Sequence, residues 1–393
     1  VEENELQLRS SMSSERAKTW VEIDSGSYQN NINAIRSLLE PEVTFCSVIK
    51  ANAYGHGLEQ VAKIALQNNV NNFAVDSIDE AEMLRSVAPD AVIFILGFTV
   101  ESRLVDVVRL DCVQTVYDEQ IIRSLGQEAI AQQKQAFVNV KCETGTQRQG
   151  ILERDFKHLL ASIEKERGSV QLISLASHLS SSEEVAKPEI TQQQNTEFNK
   201  FVSDCKQFGL NPKFTHISCS ASTLLYPETH HSLVRVGLSQ YGMWPSDGVK
   251  SQKSNKQPSF KLRSIISWKT RIAQIKDIAS GTAVGYDQNF TSDRPMRIAI
   301  LPVGYYDGLV RTLSNKAHVI VKGQKCRILG NICMNMCIVD ISTLPQVKPG
   351  DTVTLLGRDG MHEITAEDHA RWSDTINYEV TTRINPLLPR VIV

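Results

Sequence analysis

The sequence predicts an α/β fold, an N-terminal (β/α)8 barrel followed by a smaller, mostly-β domain. Three observations lead there. Eight short apolar, β-branched runs recur between residues 43 and 236, spaced by about 20 to 40 residues, and eight βα units closing on themselves make a barrel. Amphipathic helical patterns lie between most of the runs. Beyond Pro258 the texture changes to alternating β-branched segments separated by Gly, Pro and Asp turns such as the one at Lys348–Asp351. The 393 residues suffice for both domains.

Taken in order, Trp20–Ile23 alternates like a short strand, and Ser27–Leu39 carries Ile32, Ile35 and Leu38 at helical spacing. The eight runs are Val43–Ile49, Phe73–Val75, Val92–Leu96, Cys112–Val116, Phe137–Val140, Leu172–Ala176, Phe214–Ser218 and Leu233–Val236. Helical patterns fall at Leu58–Gln67, Ile78–Ser86, Glu119–Gln132, Phe156–Glu166 and Ile190–Phe208. Ser77 followed by Glu80 reads as a capping box opening the second of these. Lys250–Pro258, polar and ending in proline, reads as a linker. Strands are then expected at Leu262–Ile275, Arg297–Leu301, His318–Lys322, Cys337–Ile341 and Thr352–Leu356, with short helices near Ala366–Arg371 and Thr375–Arg383. The expected organisation is a polar extension over residues 1–18, a barrel over 19–255 and a β domain over 256–393.

A formal charge of −2 gives no reason to expect nucleic acid or a membrane surface as partner. No apolar run approaches the roughly 20 residues that span a bilayer, and no signal-peptide core stands near the start. The eight cysteines are scattered singly, without CxxC or zinc spacing, so no metal is expected. Cys142, Cys219 and Cys333 read as small buried hydrophobes. A reducing cytoplasm is the expected setting; the polar start at Val1 keeps export to the periplasm as the alternative.

The chemistry is organised around Val48–Gly57, VIKANAYGHG. A strand ending at Lys50 feeds a loop on the side of an α/β scaffold where ligands sit, which makes the amine a candidate Schiff-base former. Tyr54 can offer a phenol to a phosphate, and Gly55 and Gly57 permit close backbone approach of an anion. Further on, KCETGTQRQG places Arg148 on a loop where its planar fork can hold a carboxylate. Ser220 and the amides of Gly237 and Leu238 follow strands seven and eight, the usual phosphate corner of such barrels. Arg235, in the last barrel run, stays protonated and can only donate to whatever lies beside it.

VIKANAYGHG resembles, nearly letter for letter, the pyridoxal-phosphate lysine motif of the alanine racemase family, and the resemblance spans roughly Thr19–Val393. It implies pyridoxal 5'-phosphate on Lys50, with Tyr54, His178, Ser220, Arg235, Gly237, Leu238 and Tyr378 as cofactor contacts. KCETGTQRQG is similar to the family's substrate-arginine signature, in which the lysine matching Lys141 is commonly carbamylated and braces Arg148. His178, in LASHLS, would lie under the cofactor between Arg235 and the catalytic tyrosine. That tyrosine is implied at Tyr286, in GTAVGYD, reached from the second subunit of a homodimer with shared active sites. Racemisation needs acid/base groups on opposite faces of Cα; Lys50 would serve the D face and Tyr286 the L face. A tyrosine acts as a base only where positive charge lowers its proton affinity.

LPVGYYDGLVR aligns Tyr305, Asp307, Gly308 and Arg311 with the family's access channel, INYEV puts Ile376 beside Tyr378, and GNICMNM supplies Cys333 and the carboxylate-contacting Met334. Three positions depart: Cys219 stands where the family usually has asparagine, Asn331 where it has arginine, and Asn335 where it has aspartate. The implied function is interconversion of L- and D-alanine, with D-alanine supply for peptidoglycan as its role. Asn331 and Asn335 keep a broad-specificity or serine racemase open, while Lys141 favours alanine. A non-catalytic cofactor carrier is the alternative from another class, and Arg235 speaks against a fold-related decarboxylase.

Overall fold

Each of the eight apolar runs forms a strand of one parallel sheet in the computed structural model, which describes residues 16–393. The strands are β2 (Thr44–Val48), β3 (Asn72–Val75), β4 (Val92–Ile95), β5 (Val113–Val116), β6 (Ala136–Lys141), β7 (Val170–Ala176), β8 (Phe214–His216) and β9 (Leu233–Val236). They pair in the order β8-β7-β6-β5-β4-β3-β2-β9, every neighbour parallel. Ser232 N–H donates to Thr215 O (3.2 Å) and Arg235 N–H to Ser218 O (3.1 Å), so β8 and β9 nearly close the barrel. Near-continuous apolar sequence is what a parallel strand buried on both faces requires, and β5 and β9 are buried at every position. The Phe94 ring meets His216 at 5.6 Å between centroids; β4 and β8 stand four places apart in the sheet, so this contact crosses a packed interior.

The helices follow the predicted periodicity. Helix α6 (Glu153–Lys165) buries Phe156, Leu159, Leu160 and Ile163, one stripe at i, i+3, i+4 and i+7, and starts a turn before the predicted span, with Glu153 and Asp155 where the helix dipole favours acids. Of the capping box at α3 (Ile78–Val87), half forms. Ser77 Oγ accepts from Glu80 N–H (3.3 Å), but the Glu80 carboxylate turns away to accept from Asp76 N–H (2.9 Å) and Asn52 N–H (3.2 Å). The expected linker at Lys250–Pro258 is instead mostly helix α9 (Asp247–Lys256), started by Ser246 Oγ accepting from Val249 N–H (3.2 Å) and anchored by Val249 and by Lys253 over the Phe260 ring. Composition hid it, because only a narrow stripe of this polar helix is buried.

The described residues form two compact units: Ser27–Ala53 with Val61–Arg263, and residues 16–26 with Tyr54–Gln60 and Ser264–Val393. The second is built on a ten-stranded, mostly antiparallel sheet. Strand β1 (Thr19–Ile23) belongs to it, antiparallel to β10 (Ile266–Arg271) and parallel to β18 (Arg390–Ile392). The single strand expected over Leu262–Ile275 is two, β10 and β11 (Gln274–Ile278), because Ile272 N–H bonds Asp351 O while Ala273 N–H bonds Ile300 O and the chain changes neighbours there. Strands β12 (Met296–Leu301), β13 (His318–Val321), β15 (Cys337–Asp340) and β16 (Thr352–Asp359) match expected runs. The polar β14 (Gln324–Leu329) was not marked by its sequence.

Two loops of this unit meet with no space for a side chain between them. Tyr305 N–H donates to Cys333 O and Tyr306 N–H to Met334 O (both 3.0 Å), and a Cβ on Gly304 would stand 2.1 Å from Cys333 O. Gly304→Ala is therefore expected to cost about 1–3 kcal/mol in chemical denaturation. Gly168→Ala, where nothing lies within 4 Å of the added methyl, should stay within about 0.5 kcal/mol. Equal stabilities would show that the loops part without penalty.

Candidate active site

Barrel strands present their C-terminal ends as a common rim, and Lys50, Lys141, His178, Ser220 and Arg235 all lie on or just after those ends. Arg235, in β9, is buried at 6% exposure. Its Nη1 donates to His216 Nδ1 and His216 O (3.1 Å), and its Nη2 to Ser177 O (2.7 Å), His178 Nδ1 (3.3 Å) and Ile217 O (3.3 Å). Nε has no protein partner among the described residues, which leaves one oriented donor on a group of fixed positive charge. Burial lowers the Arg235 pKa to about 10, still protonated at neutral pH.

That cation shapes its neighbours. Burial, then Arg235, then Lys141 hold His178 and His216 well below the ordinary histidine value, so both are neutral acceptors for the guanidinium. Lys141 is also pushed well below the usual lysine range, by burial first and then by Arg235 and Arg148; its Nζ makes no hydrogen bond or ion pair with a described residue. His216, last residue of β8, was not singled out by the sequence, since nothing in HISCS distinguishes a structural histidine from one supporting an arginine.

Lys50 follows β2 on an unusual backbone. Ala51, Asn52, Ala53 and Tyr54 all have φ between 52° and 54°, one turn of left-handed helix with no glycine in it. Such a turn costs roughly 1–2 kcal/mol per residue. Within the barrel unit it is held by Ala53 N–H to Ile49 O (2.8 Å) and by Asn52 N–H to the Glu80 carboxylate. Lys50 Nζ lies 3.4 Å from Asp76 Oδ1 at the end of β3. Ser220 Oγ accepts from both Gly237 N–H and Ser239 N–H (3.2 Å each), drawing two loops into one corner; Leu238, between them, is buried and its amide makes no such bond. A cavity of ≈ 380 Å³ opens beside this rim, lined by Thr146, Arg148, His178, Ser182 and Cys219 among others. Cys142 is buried as expected, while Cys219 and Cys333 are partly exposed.

The second unit carries the remaining candidates. Tyr54 and Tyr378 face each other with ring centroids 5.9 Å apart. Gly55 is needed here for a protein contact, since a Cβ would fall 1.9 Å from Thr381 O, and Arg390 donates twice to Gly55 O (2.9 and 3.1 Å). Tyr286 is 70% exposed on a turn whose neighbours Gly285, Asp287 and Gln288 have positive φ. Asn331 braces that turn from below: buried, it donates to Tyr286 O (3.2 Å) and Asp287 Oδ2 (3.0 Å) and accepts from Asn289 Nδ2 (2.9 Å). Tyr305 and Met334, joined by the loop contact described above, are both exposed.

Residues 23–245 match the family model "Alanine racemase, N-terminal domain" and residues 265–392 "Alanine racemase, C-terminal domain". The chain belongs to the alanine racemase family. It is 34% identical over 377 residues to an alanine racemase of Leptospira interrogans, covering 95% of this chain and 96% of the relative, and 32% identical over 374 residues to one of Methanococcus maripaludis, covering 95% and 98%. Among solved structures, an alanine racemase of Clostridium difficile 630 superposes with a TM-score of 0.89 at 32% identity over 96% of both chains. The Bacillus anthracis enzyme with bound L-Ala-P gives 0.87 at 31% identity over 96% of this chain and 95% of that one.

Seen as an alanine racemase fold, the barrel rim brings Arg235, His178 and Ser177 into one network, while Arg148 meets His178 only across the cavity. The histidines give a pH test. Unfolded, each takes up a proton near pH 6.5; folded, each resists until well below it, so the unfolded state binds more protons in that window. Stability should rise as pH increases towards about 6.5 and flatten above it. Imidazole nitrogen spectra should show neither His178 nor His216 with a midpoint at 6.5, and such a midpoint would contradict neutral acceptors beside Arg235.

Proposed function

We propose that this chain is a pyridoxal-phosphate-dependent alanine racemase that works as a homodimer with shared active sites. The observation that carries it is the Arg235 network: a buried guanidinium with one donor unspent, on the rim that also bears Lys50. The rim residues fit the cofactor. Lys50 offers the amine for an aldehyde, the Ser220 hydroxyl with the Leu238 amide offers a phosphate corner, the Gly237 amide turning to it only by leaving Ser220 Oγ, and Nε of Arg235 offers a donor to a ring nitrogen. Tyr54 and Tyr378, whose rings meet at a tilt in the second unit, are the proposed phenol contacts to the phosphate. The ≈ 380 Å³ of the cavity falls within the range of about 300 to 1,000 Å³ typical of small-molecule sites. When bound, the cofactor supplies a conjugated electron sink that makes the substrate Cα–H acidic.

The residues then divide the work. Arg148, on the cavity wall, holds the substrate carboxylate, with Met334 of the second subunit at the same group. Lys50 moves the proton on the D face of Cα, and Tyr286 of the second subunit moves it on the L face. Neutral His178 accepts from Arg235 and keeps the cation aimed. The exposure of Tyr286, Tyr305, Met334 and Ile376 supports a second copy covering this surface. Lys141, half-buried near cations and poorly able to hold a proton, is suited to carbamylation, which would give Arg148 an anion to rest on. Among the described residues no helix is long and apolar enough to cross a membrane, and eight unpaired cysteines suit a reducing cytoplasm, where D-alanine would serve peptidoglycan.

Chiral chromatography of L-alanine, L-serine, L-lysine and L-arginine, incubated with the protein and cofactor in deuterated water, tests the reading. D-Alanine carrying deuterium at Cα is expected, well ahead of the other products. Comparable turnover of lysine or arginine would favour the broad-specificity enzyme. Bound cofactor without exchange would favour the carrier. Lys50→Ala should abolish the absorbance of lysine-linked cofactor and activity together; retention of that absorbance after dialysis would remove Lys50 from its role. With 13C-labelled bicarbonate, a carbamate resonance should appear in the native protein and vanish in Lys141→Ala. Its absence from the native protein would exclude the modification.

A further inference from the structure

We infer that Asp76 is a positioning residue for Lys50: where the lysine has taken the α-proton, the carboxylate pairs with the ammonium and aims that proton back at Cα. This rests on the reading of Lys50 as the D-face base. Asp76 Oδ1 lies 3.4 Å from Lys50 Nζ, and no other carboxylate among the described residues forms an ion pair with that amine.

The placement of the carboxylate is built rather than incidental. Asp76 follows β3, the strand next to β2 in the sheet, so register alone sets it beside the lysine. Its N–H donates to Glu80 Oε2 (2.9 Å), and its carbonyl accepts from Gly97 N–H (2.9 Å). The other Glu80 oxygen accepts from Asn52 N–H, within the left-handed turn that follows Lys50. One carboxylate thus fastens both the backbone of Asp76 and the turn that aims Lys50. Gly97 completes the seat: a Cβ there would stand 2.4 Å from Asp76 O and 3.0 Å from Asp76 Oδ2, so any side chain at 97 would displace the acid.

The proton balance is simple. The α-proton of D-alanine passes to Lys50 Nζ, which becomes an ammonium; Asp76 takes no proton and supplies only opposing charge and direction. In the reverse direction the same ammonium returns its proton to Cα and becomes a neutral amine. With the Lys50 and Asp76 side chains 38% and 58% exposed, the pair contributes little to stability, so its removal leaves the fold intact.

The two enantiomers have equal free energy, so any variant must lose kcat/KM equally in both directions, and rates alone cannot locate a defect. Isotope effects can. If Asp76 serves the Lys50 step, Asp76→Asn makes that step more rate-limiting, and the primary deuterium effect on kcat/KM rises with α-deuterated D-alanine while it falls towards unity with α-deuterated L-alanine. A loss of roughly tenfold to a hundredfold in kcat/KM is expected, the size of a modest misplacement of a catalytic group. Asp76→Glu should recover most of it, with isotope effects close to the native ones. Intact lysine-linked cofactor absorbance in Asp76→Asn shows that the site is assembled. Unchanged isotope effects, or a loss below about twofold, would overturn the role of Asp76. Failure of the native protein to racemise alanine would instead overturn the functional reading.

Discussion

The guanidinium of Arg235 is enclosed at the end of β9 with no carboxylate among the described residues to neutralise it, and the barrel half of the site follows from that constraint. Leaving a cation in such a place costs several kcal/mol, and charge-assisted hydrogen bonds of about 1.5–3 kcal/mol each must offset it. Two imidazoles and three backbone carbonyls provide them. The imidazoles can do so only while neutral, and burial first, then the same positive field, holds them well below the ordinary histidine value. Burial and that field likewise push Lys141 well below the usual lysine range. The rim therefore carries a firm positive charge at Arg235 beside histidines that stay neutral next to it, which suits an acceptor nitrogen and anionic substituents.

Backbone strain is concentrated beside the proposed bases. Four consecutive non-glycine residues after Lys50 adopt left-handed geometry, about 4–8 kcal/mol of unfavourable backbone energy if each costs about 1–2 kcal/mol. Glu80 holds the turn in the barrel unit, while Gly55, just past it, is clamped by Arg390. The turn of Tyr286 has the same character, with positive φ on both sides and Asn331 filling the space beneath. Strain of this kind persists only where the surroundings over-determine it. Here it sends the chain away sharply after Lys50, so that the amine, rather than the backbone that follows, faces the rim.

Much of this was legible in the sequence, because parallel strands buried on both faces are mainly apolar and amphipathic helices must repeat at 3.6 residues. All eight barrel runs and the Lys50, Arg148, His178 and Arg235 positions could be marked that way or by motif. What escaped notice depends on long-range geometry. No propensity announces a left-handed turn in Ala-Asn-Ala-Tyr, since the force holding it comes from Glu80, 28 residues away. Glu80 was legible as a cap and proved to be mainly a strap. Asn331 read as a departure that keeps a broader substrate range open, yet its side chain is spent on the Tyr286 turn; whether an amide faces a substrate or braces a turn depends on burial, which one position in a sequence does not reveal. Helix α9 and strand β14 escaped for a simpler reason: the helix is polar along most of its length, and Gln324, Lys325 and Arg327 break up the short apolar pattern of the strand.

Racemisation sets an unusual demand on these two units. The free-energy profile must join states of equal energy, yet an L-amino-acid protein is chiral and offers the two faces of Cα different groups. The proposed groups, an amine and a phenol, differ in charge type, so no single environment suits both: a neighbouring carboxylate steadies a protonated amine, whereas a phenolate would be repelled by one. The fold separates the two problems. Lys50 stands in the barrel unit beside Asp76, and Tyr286 stands in the other unit on a turn braced by the uncharged Asn331, with the nearby Asp287 carboxylate occupied by Arg311 at 3.3 Å. Arginine, which the resemblance puts at position 331 in the family, would add a charge beneath that turn; asparagine braces it without one. The turn of Tyr286 is thus braced by an uncharged side chain, and in the proposed two-base reading the positive charge a phenolate needs would have to come from outside that turn.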